Sequence, residues 1–180
     1  MNVPVYTAEE ARSRETFLAL MWALSYPGRI YAMPQAADST LAQIGVALLD
    51  LETSFFSTDA ALTEALARTG ARALPPEDAD YHFYPTCDEA ALEGIARARK
   101  GTMLRPDESA TLIIGCAFAS GSTHRWQGPG IQTAAEVRLG SVPARFWSLR
   151  TRAIRYPLGW DVYFVEGSRV IGLPRTTIIA

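Results

Sequence analysis

Side chains able to break or make bonds are few in this chain, and their spacing limits what they can do. Its histidines are His82 and His124, its cysteines Cys87 and Cys116, and Lys100 is the one lysine among 17 basic residues. Nucleophilic hydrolysis needs a serine or cysteine held against a histidine base. Ser120-Gly121 has Phe118 where the tight nucleophile elbow requires glycine. A zinc site needs ligands in close pairs, and no spacing favours a set drawn from His82, Cys87, Cys116 and His124. Gly115 to Ser122 carries glycine and serine without the lysine of a phosphate-binding loop. Gly128 and Gly130 are split by Pro129, which breaks the dinucleotide fingerprint. Schiff-base chemistry with pyridoxal phosphate would fall to Lys100, predicted in the last turn of a helix before Gly101, where a cation meets the helix dipole and points to water. No metal or cofactor is expected from this inventory.

Arginine is the exception. Arg145, Arg150, Arg152 and Arg155 decorate one predicted helix, and Arg175 stands between Pro174 and Thr176. Guanidinium groups bind carboxylate or phosphate bidentately, so Arg145, Arg152 and Arg175 are candidates for a phosphorylated ligand or an acidic partner. A solvated basic face is the plain alternative. Three rigid turns, Pro27-Gly28, Gly128-Pro129-Gly130 and Pro157-Leu158-Gly159, offer fixed loops suited to shape recognition.

The elements that must position these groups follow from caps and periodicity. Thr7 with Glu10 is a capping box, opening a helix to about Leu24 with Phe17, Leu20, Met21 and Leu24 on one stripe. Pro27 stops it, Tyr26-Pro27-Gly28-Arg29 reads as a type II turn, and a strand over Arg29 to Met33 follows. Ser39 caps a second helix with Leu41, Ile44, Leu48 and Leu51 inward; Phe55-Phe56 is a brief strand; Thr58 caps a third helix ending at Gly70. Tyr81 to Tyr84 is strand-like, and Thr86 with Glu89 opens a helix ending near Lys100-Gly101. Ser109 to Phe118 is an apolar run typical of a strand covered on both faces. His124 to Gln127 alternates weakly. Pro143 to Arg155 is a helix with Phe146, Leu149 and Ala153 inward, and Val162–Val165 and Val170–Leu173 form a hairpin through Gly167-Ser168. Helices alternating with strands predict a single α/β domain over residues 1–180, a mixed sheet flanked by helices with a C-terminal antiparallel hairpin.

With 180 residues, 48% of them hydrophobic, the chain has the length and apolar content for one packed core. Its longest uncharged apolar stretch, Leu112 to Ala119, is far short of the roughly 20 residues a membrane helix needs. The start, Met1 to Tyr6, shows no basic or apolar leader, and two cysteines are too few for a disulfide framework, so a cytoplasmic protein is expected. The net charge is −2, but residues 1–99 are acidic and residues 100–180 basic. Near-neutrality argues against nucleic acid as a partner, and the asymmetry suits docking to charged protein surfaces.

Several segments resemble one family. They are Leu20-Met21-Trp22-Ala23-Leu24-Ser25-Tyr26-Pro27-Gly28, Gly101-Thr102 with Pro106 to Leu112, Gly128-Pro129-Gly130-Ile131, and Tyr156-Pro157-Leu158-Gly159-Trp160-Asp161 through to Leu173-Pro174-Arg175-Thr176-Thr177. In this order they are similar to the PhnH family of carbon–phosphorus lyase components. Trp22-Ala23 and Leu18 depart from the family's usual residues. The resemblance implies a fold like that of pyridoxal phosphate-dependent transferases without the cofactor site, and homodimers in isolation that would use an apolar face of the sheet or its hairpin. It implies an accessory, non-catalytic role beside subunits G, I and J, whose complex couples an alkylphosphonate to the ribose of ATP with loss of adenine. ATP or phosphonate would then be a ligand only within that complex. With the arginines above, it nominates Arg145, Arg152, Arg175, Thr176, Gly128, Pro129, Gly130, Tyr156, Gly159 and Asp161 as partner or phosphate contacts. A free-standing pyridoxal phosphate enzyme using Lys100, or a phosphate-ligand binding module using the C-terminal arginines, are the alternatives.

Overall fold

The computed structural model describes residues 6–36 and 39–180; the Met1–Val5 part of the leader reading lies outside them. The described chain is three-layered. Its elements in order are α1 (Ala8–Ser25), β1 (Tyr31–Ala32), α2 (Thr40–Leu48), β2 (Ser54–Ser57), α3 (Ala60–Ala67), β3 (Arg72–Ala73), β4 (Tyr81–Tyr84), α4 (Glu89–Arg97), β5 (Thr111–Gly115), β6 (Ala117–Gln127), β7 (Ala135–Gly140), α5 (Ala144–Ala153), β8 (Asp161–Glu166), β9 (Arg169–Leu173) and β10 (Ile178–Ile179). A seven-stranded sheet runs β1-β9-β8-β5-β4-β2-β3. Its centre, β8-β5-β4-β2, is parallel, and β9 and β1 join antiparallel. A second, three-stranded antiparallel sheet runs β10-β6-β7.

The central strand shows why the apolar run reads as it does. Leu112, Ile113 and Ile114 of β5 are fully buried, and successive side chains face opposite layers. Leu112 and Ile114 join Tyr84, Leu92, Ile95, Trp126, Phe146 and Phe164 in a core beneath α4, α5 and the small sheet. Ile113 joins Leu20, Ile44, Phe55, Leu66, Phe83 and Val165 beneath α1, α2 and α3. Each such burial contributes roughly 1.5–3 kcal/mol.

The capping box is present: Thr7 N and Oγ1 donate to Glu10 Oε2, and Glu10 N donates to Thr7 Oγ1. The type II turn is present too, with Gly28 at φ +81° and Arg29 N donating to Tyr26 O. The C-terminal hairpin pairs Glu166 with Arg169 across Gly167-Ser168.

Other expectations are corrected. The buried stripe of α1 is Thr16, Ala19, Leu20 and Ala23, while Phe17 and Met21 are 49% and 39% exposed. The helix packs with its small residues because the sheet approaches closely: a Cβ on Gly172 of β9 would sit 2.5 Å from the Ala23 backbone. Leu51 lies beyond α2 in a turn and is exposed. Asp59, not Thr58, caps α3, its carboxylate accepting from Leu62 N at 2.7 Å. Asp88, not Thr86, caps α4; the Thr86 hydroxyl donates to the Asp88 carboxylate instead. In both cases a carboxylate takes the helix N-terminus in place of the neighbouring hydroxyl. The apolar run ends as a strand at Gly115, because Phe118 already belongs to the second sheet. That sheet is the element least visible in sequence, since β6 is polar, bulged between Phe118 and Ser122, and paired with the unpredicted β7.

Candidate functional site

The sequence segments singled out above converge in space near the amino ends of the parallel strands. Asp161 opens β8 and Arg175 follows β9, its antiparallel neighbour. The Asp161 carboxylate accepts from Arg175 N at 2.8 Å, from Nε at 3.1 Å and from Nη2 at 2.6 Å. Arg175 Nη1 donates to Pro106 O at 2.8 Å and reaches Pro157 O at 3.4 Å. This guanidinium therefore ties the segment leading into β5 to the exit of β9. Trp160, fully buried, donates its indole N–H to Ala98 O, and Gly159 N donates to Lys100 O. Gly130, at φ +80°, lies so close to the first turn that a Cβ would meet Ser25 O at 2.2 Å. Gly128 similarly faces the Thr176 carbonyl.

Above this framework opens a cleft of about 510 Å³ between α5, the 155–159 turn and the C-terminal segment. Pro129, Tyr156, Arg175 and Thr176 line it; Gly128, Gly130, Gly159 and Asp161 shape or brace its surroundings. Arg150 also lines it and escaped the sequence nomination. It is 4% exposed, and its Nη2 donates to Pro174 O and Thr177 O, each at 2.9 Å. Its position is legible in hindsight: it follows Phe146 by four residues and precedes Ala153 by three, on the inward face of α5. Arg152 is exposed elsewhere on the helix. Arg145 pairs with Glu93 at 2.6 Å and with Glu89, joining α5 to α4.

A comparison with protein families matches residues 4–180 to the model described as "Bacterial phosphonate metabolism protein (PhnH)". HtxG of Stutzerimonas stutzeri, which carries the name of a C-P lyase subunit protein, is 32% identical over 171 residues, 93% of this chain and 86% of that protein. The chain belongs to the PhnH family.

In this PhnH-family chain the remaining reactive groups are held in structural surroundings. His82 is fully buried, its Nδ1 2.8 Å from Tyr84 Oη. Burial pushes its pKa down to about 4, helped by Arg99 and opposed by the Ala79 and Pro76 carbonyls and Asp80. The His124 ring packs against Trp147, with centroids 4.1 Å apart and planes tilted by 38°. Lys100 is exposed, its ammonium 5.9 Å from the Trp160 ring centroid, and it bridges to Ser109 ahead of β5. Open α/β sheets place their ligands at the carboxyl ends of the strands. There, Pro85, Thr86, Cys87, Asp88, Gly115, Cys116 and Ser141 line a crevice of about 420 Å³. Burial raises both thiols to about 12, so at neutral pH they are thiols and poor nucleophiles. Among the described residues no cluster of three His, Cys, Asp or Glu is placed to hold a metal.

On the opposite layer, α1 shows water an apolar stripe. Phe17, Met21, Trp22 and Tyr26 are exposed, Trp22 stacks on Tyr26 at 5.7 Å, and the Arg29 guanidinium lies over the Tyr26 ring. Ile30 continues it, half exposed. The β8–β9 hairpin offers no comparable surface, because β1 covers the free edge of β9 and both strands are largely buried.

Proposed function

We propose that this chain is an accessory, non-catalytic subunit of a bacterial carbon–phosphorus lyase assembly. It acts beside subunits G, I and J in the step that couples an alkylphosphonate to the ribose of ATP. The family match over residues 4–180, reinforced by the S. stutzeri relative, carries this reading. Two further observations support it. The family-like segments are spent on building one end of the fold, as the Asp161–Arg175–Pro106 linkage illustrates. Meanwhile the histidines, cysteines and lysine sit in packing or stacking roles rather than in nucleophile–base pairs.

The apolar stripe of α1 is the docking face in this reading. In the isolated protein it joins two copies; in the assembly a larger component covers it. The protein resides in the cytoplasm, and no helix among the described residues is long and apolar enough to cross a membrane. The fold is that of a pyridoxal phosphate-dependent transferase that has lost its cofactor chemistry. Lys100 fits this loss: it lies at the amino ends of the parallel strands, against Trp160.

Affinity purification from phosphate-starved cells tests the proposal. The tagged chain is expected to bring down subunits G, I and J, to run as a dimer alone, and to leave methylphosphonate and ATP unchanged by itself. Turnover by the lone chain, or failure to associate at low salt, overturns it. An absorbance band with pyridoxal phosphate that Lys100→Ala abolishes would revive the enzyme alternative.

A further inference from the structure

Arg150 is a buried cation without a buried anion. Among the described residues its protein partners are two carbonyl oxygens, both on Nη2. Its Nε is buried with no partner, and no hydrogen bond occupies Nη1. The carboxylate that acts on it, Asp161, is engaged three times by Arg175. Removing a guanidinium from water without a counter-charge is costly, and an unpaired buried charge is strongly destabilising. Thr177 adds a second unmet group: it is 2% exposed, and its hydroxyl has no partner among the described residues. Both residues line the same open cleft, along with Arg175 and Thr176, and no acidic residue among the described ones lines it. The carbonyl end of α5 also lies here, so an anion would be held by the Arg150 guanidinium and not by the helix dipole.

Apart from Thr151, whose hydroxyl donates to Trp147 O, the rest of the lining is apolar. Pro129, Ile154, Ile178 and Ile179 form the walls, and Tyr156 stands 76% exposed at the edge. A cleft of about 510 Å³ exceeds what a bare inorganic ion fills. We propose that this cleft binds a small organic oxyanion, its charged head on Arg150 Nη1 and the Thr176 and Thr177 hydroxyls, its apolar body against Tyr156, Ile154 and Ile178. Burial lowers the Arg150 pKa to about 10, which keeps the guanidinium charged at neutral pH. The site belongs to the lone chain and does not depend on whether the chain docks into an assembly.

Titration calorimetry on the purified protein provides the test, with phenylphosphonate, benzoate, inorganic phosphate and neutral benzyl alcohol as probes. Phenylphosphonate or benzoate, or both, should bind at one site and more tightly than inorganic phosphate, with affinity falling as salt rises. The stronger of the two aryl anions identifies the head group; benzyl alcohol should give no binding. Tyr156→Ala should weaken the aryl anions roughly tenfold and leave inorganic phosphate unchanged. Thr151→Glu, an exposed position on the cleft wall, should supply an internal carboxylate and abolish anion binding while the protein stays folded. Absence of heat with every anion overturns the proposal. So does binding that Thr151→Glu leaves intact, or an aryl anion that binds no better than phosphate.

Discussion

At the scale of single residues, the buried polar groups make the sharpest predictions. His82 has a folded-state pKa of about 4 against 6.5 for an unperturbed ring. As pH falls, protons bind the unfolded chain first, so the stability held by the neutral ring is complete above 6.5 and drains away towards 4. The loss is on the order of 3 kcal/mol. Thermal unfolding followed between pH 7 and pH 4 should show a fall in Tm that His82→Gln makes shallower; an identical slope in the variant would show that other groups dominate. Asp161 gives a prediction without pH. Replacing it by alanine strands the Arg175 guanidinium and a backbone N–H together, at a cost of about 3–5 kcal/mol in urea unfolding. Both residues stand out in the sequence as possible ligand contacts, yet the side chains that Arg175 and Asp161 present are largely consumed by each other.

At the scale of elements, the turns explain how distant segments meet. Gly130 and Gly167 both have positive φ, but only Gly130 faces backbone, with Ser25 O 2.2 Å from a built Cβ; around Gly167 nothing lies within 4 Å. Gly130→Ala should therefore cost clearly more than Gly167→Ala, whose penalty is confined to roughly 1–2 kcal/mol of left-handed strain. Equal melting temperatures for the two would contradict the contact. The helices were legible from capping and periodicity, since those signals are local. The face of α1 was not. Phe17, Leu20, Met21 and Leu24 share a helical spacing, but the approach of β9 admits only the small-residue side, and that approach is set far away in the chain. Beyond the weak alternation of His124 to Gln127, the polar, bulged β6 and its partner β7 are illegible for the same reason: their pairing with each other and with β10 makes them strands.

At the scale of the whole molecule, two surfaces on different layers carry the functional expectations. The α1 stripe is exposed apolar area on a helix whose inner face is already buried, so Trp22→Glu should leave the melting temperature within about 0.5 kcal/mol of the parent in stability terms. It should nevertheless break self-association in light scattering and capture of the partner subunits; an unchanged oligomer would move the docking face elsewhere. The cleft at Arg150 tests separately, because its lining comes from α5 and the C-terminal segment rather than from α1.

The sequence by itself determined the local decisions: where α1 begins, which turns take glycine, that β5 is covered on both faces, and, through ordered short segments, the family. These depend on residues near one another in the chain or on recognisable strings. Which arginine is left with carbonyls instead of a counter-charge was decided by tertiary structure alone. Arg145, Arg150, Arg152 and Arg175 are equivalent as letters, but packing pairs Arg145 with glutamates of α4 and Arg175 with Asp161, and leaves Arg152 in water. Arg150 is drawn inward beside Phe146 and Ala153 with two carbonyls for company, because burial and counter-charge depend on what the folded chain brings alongside.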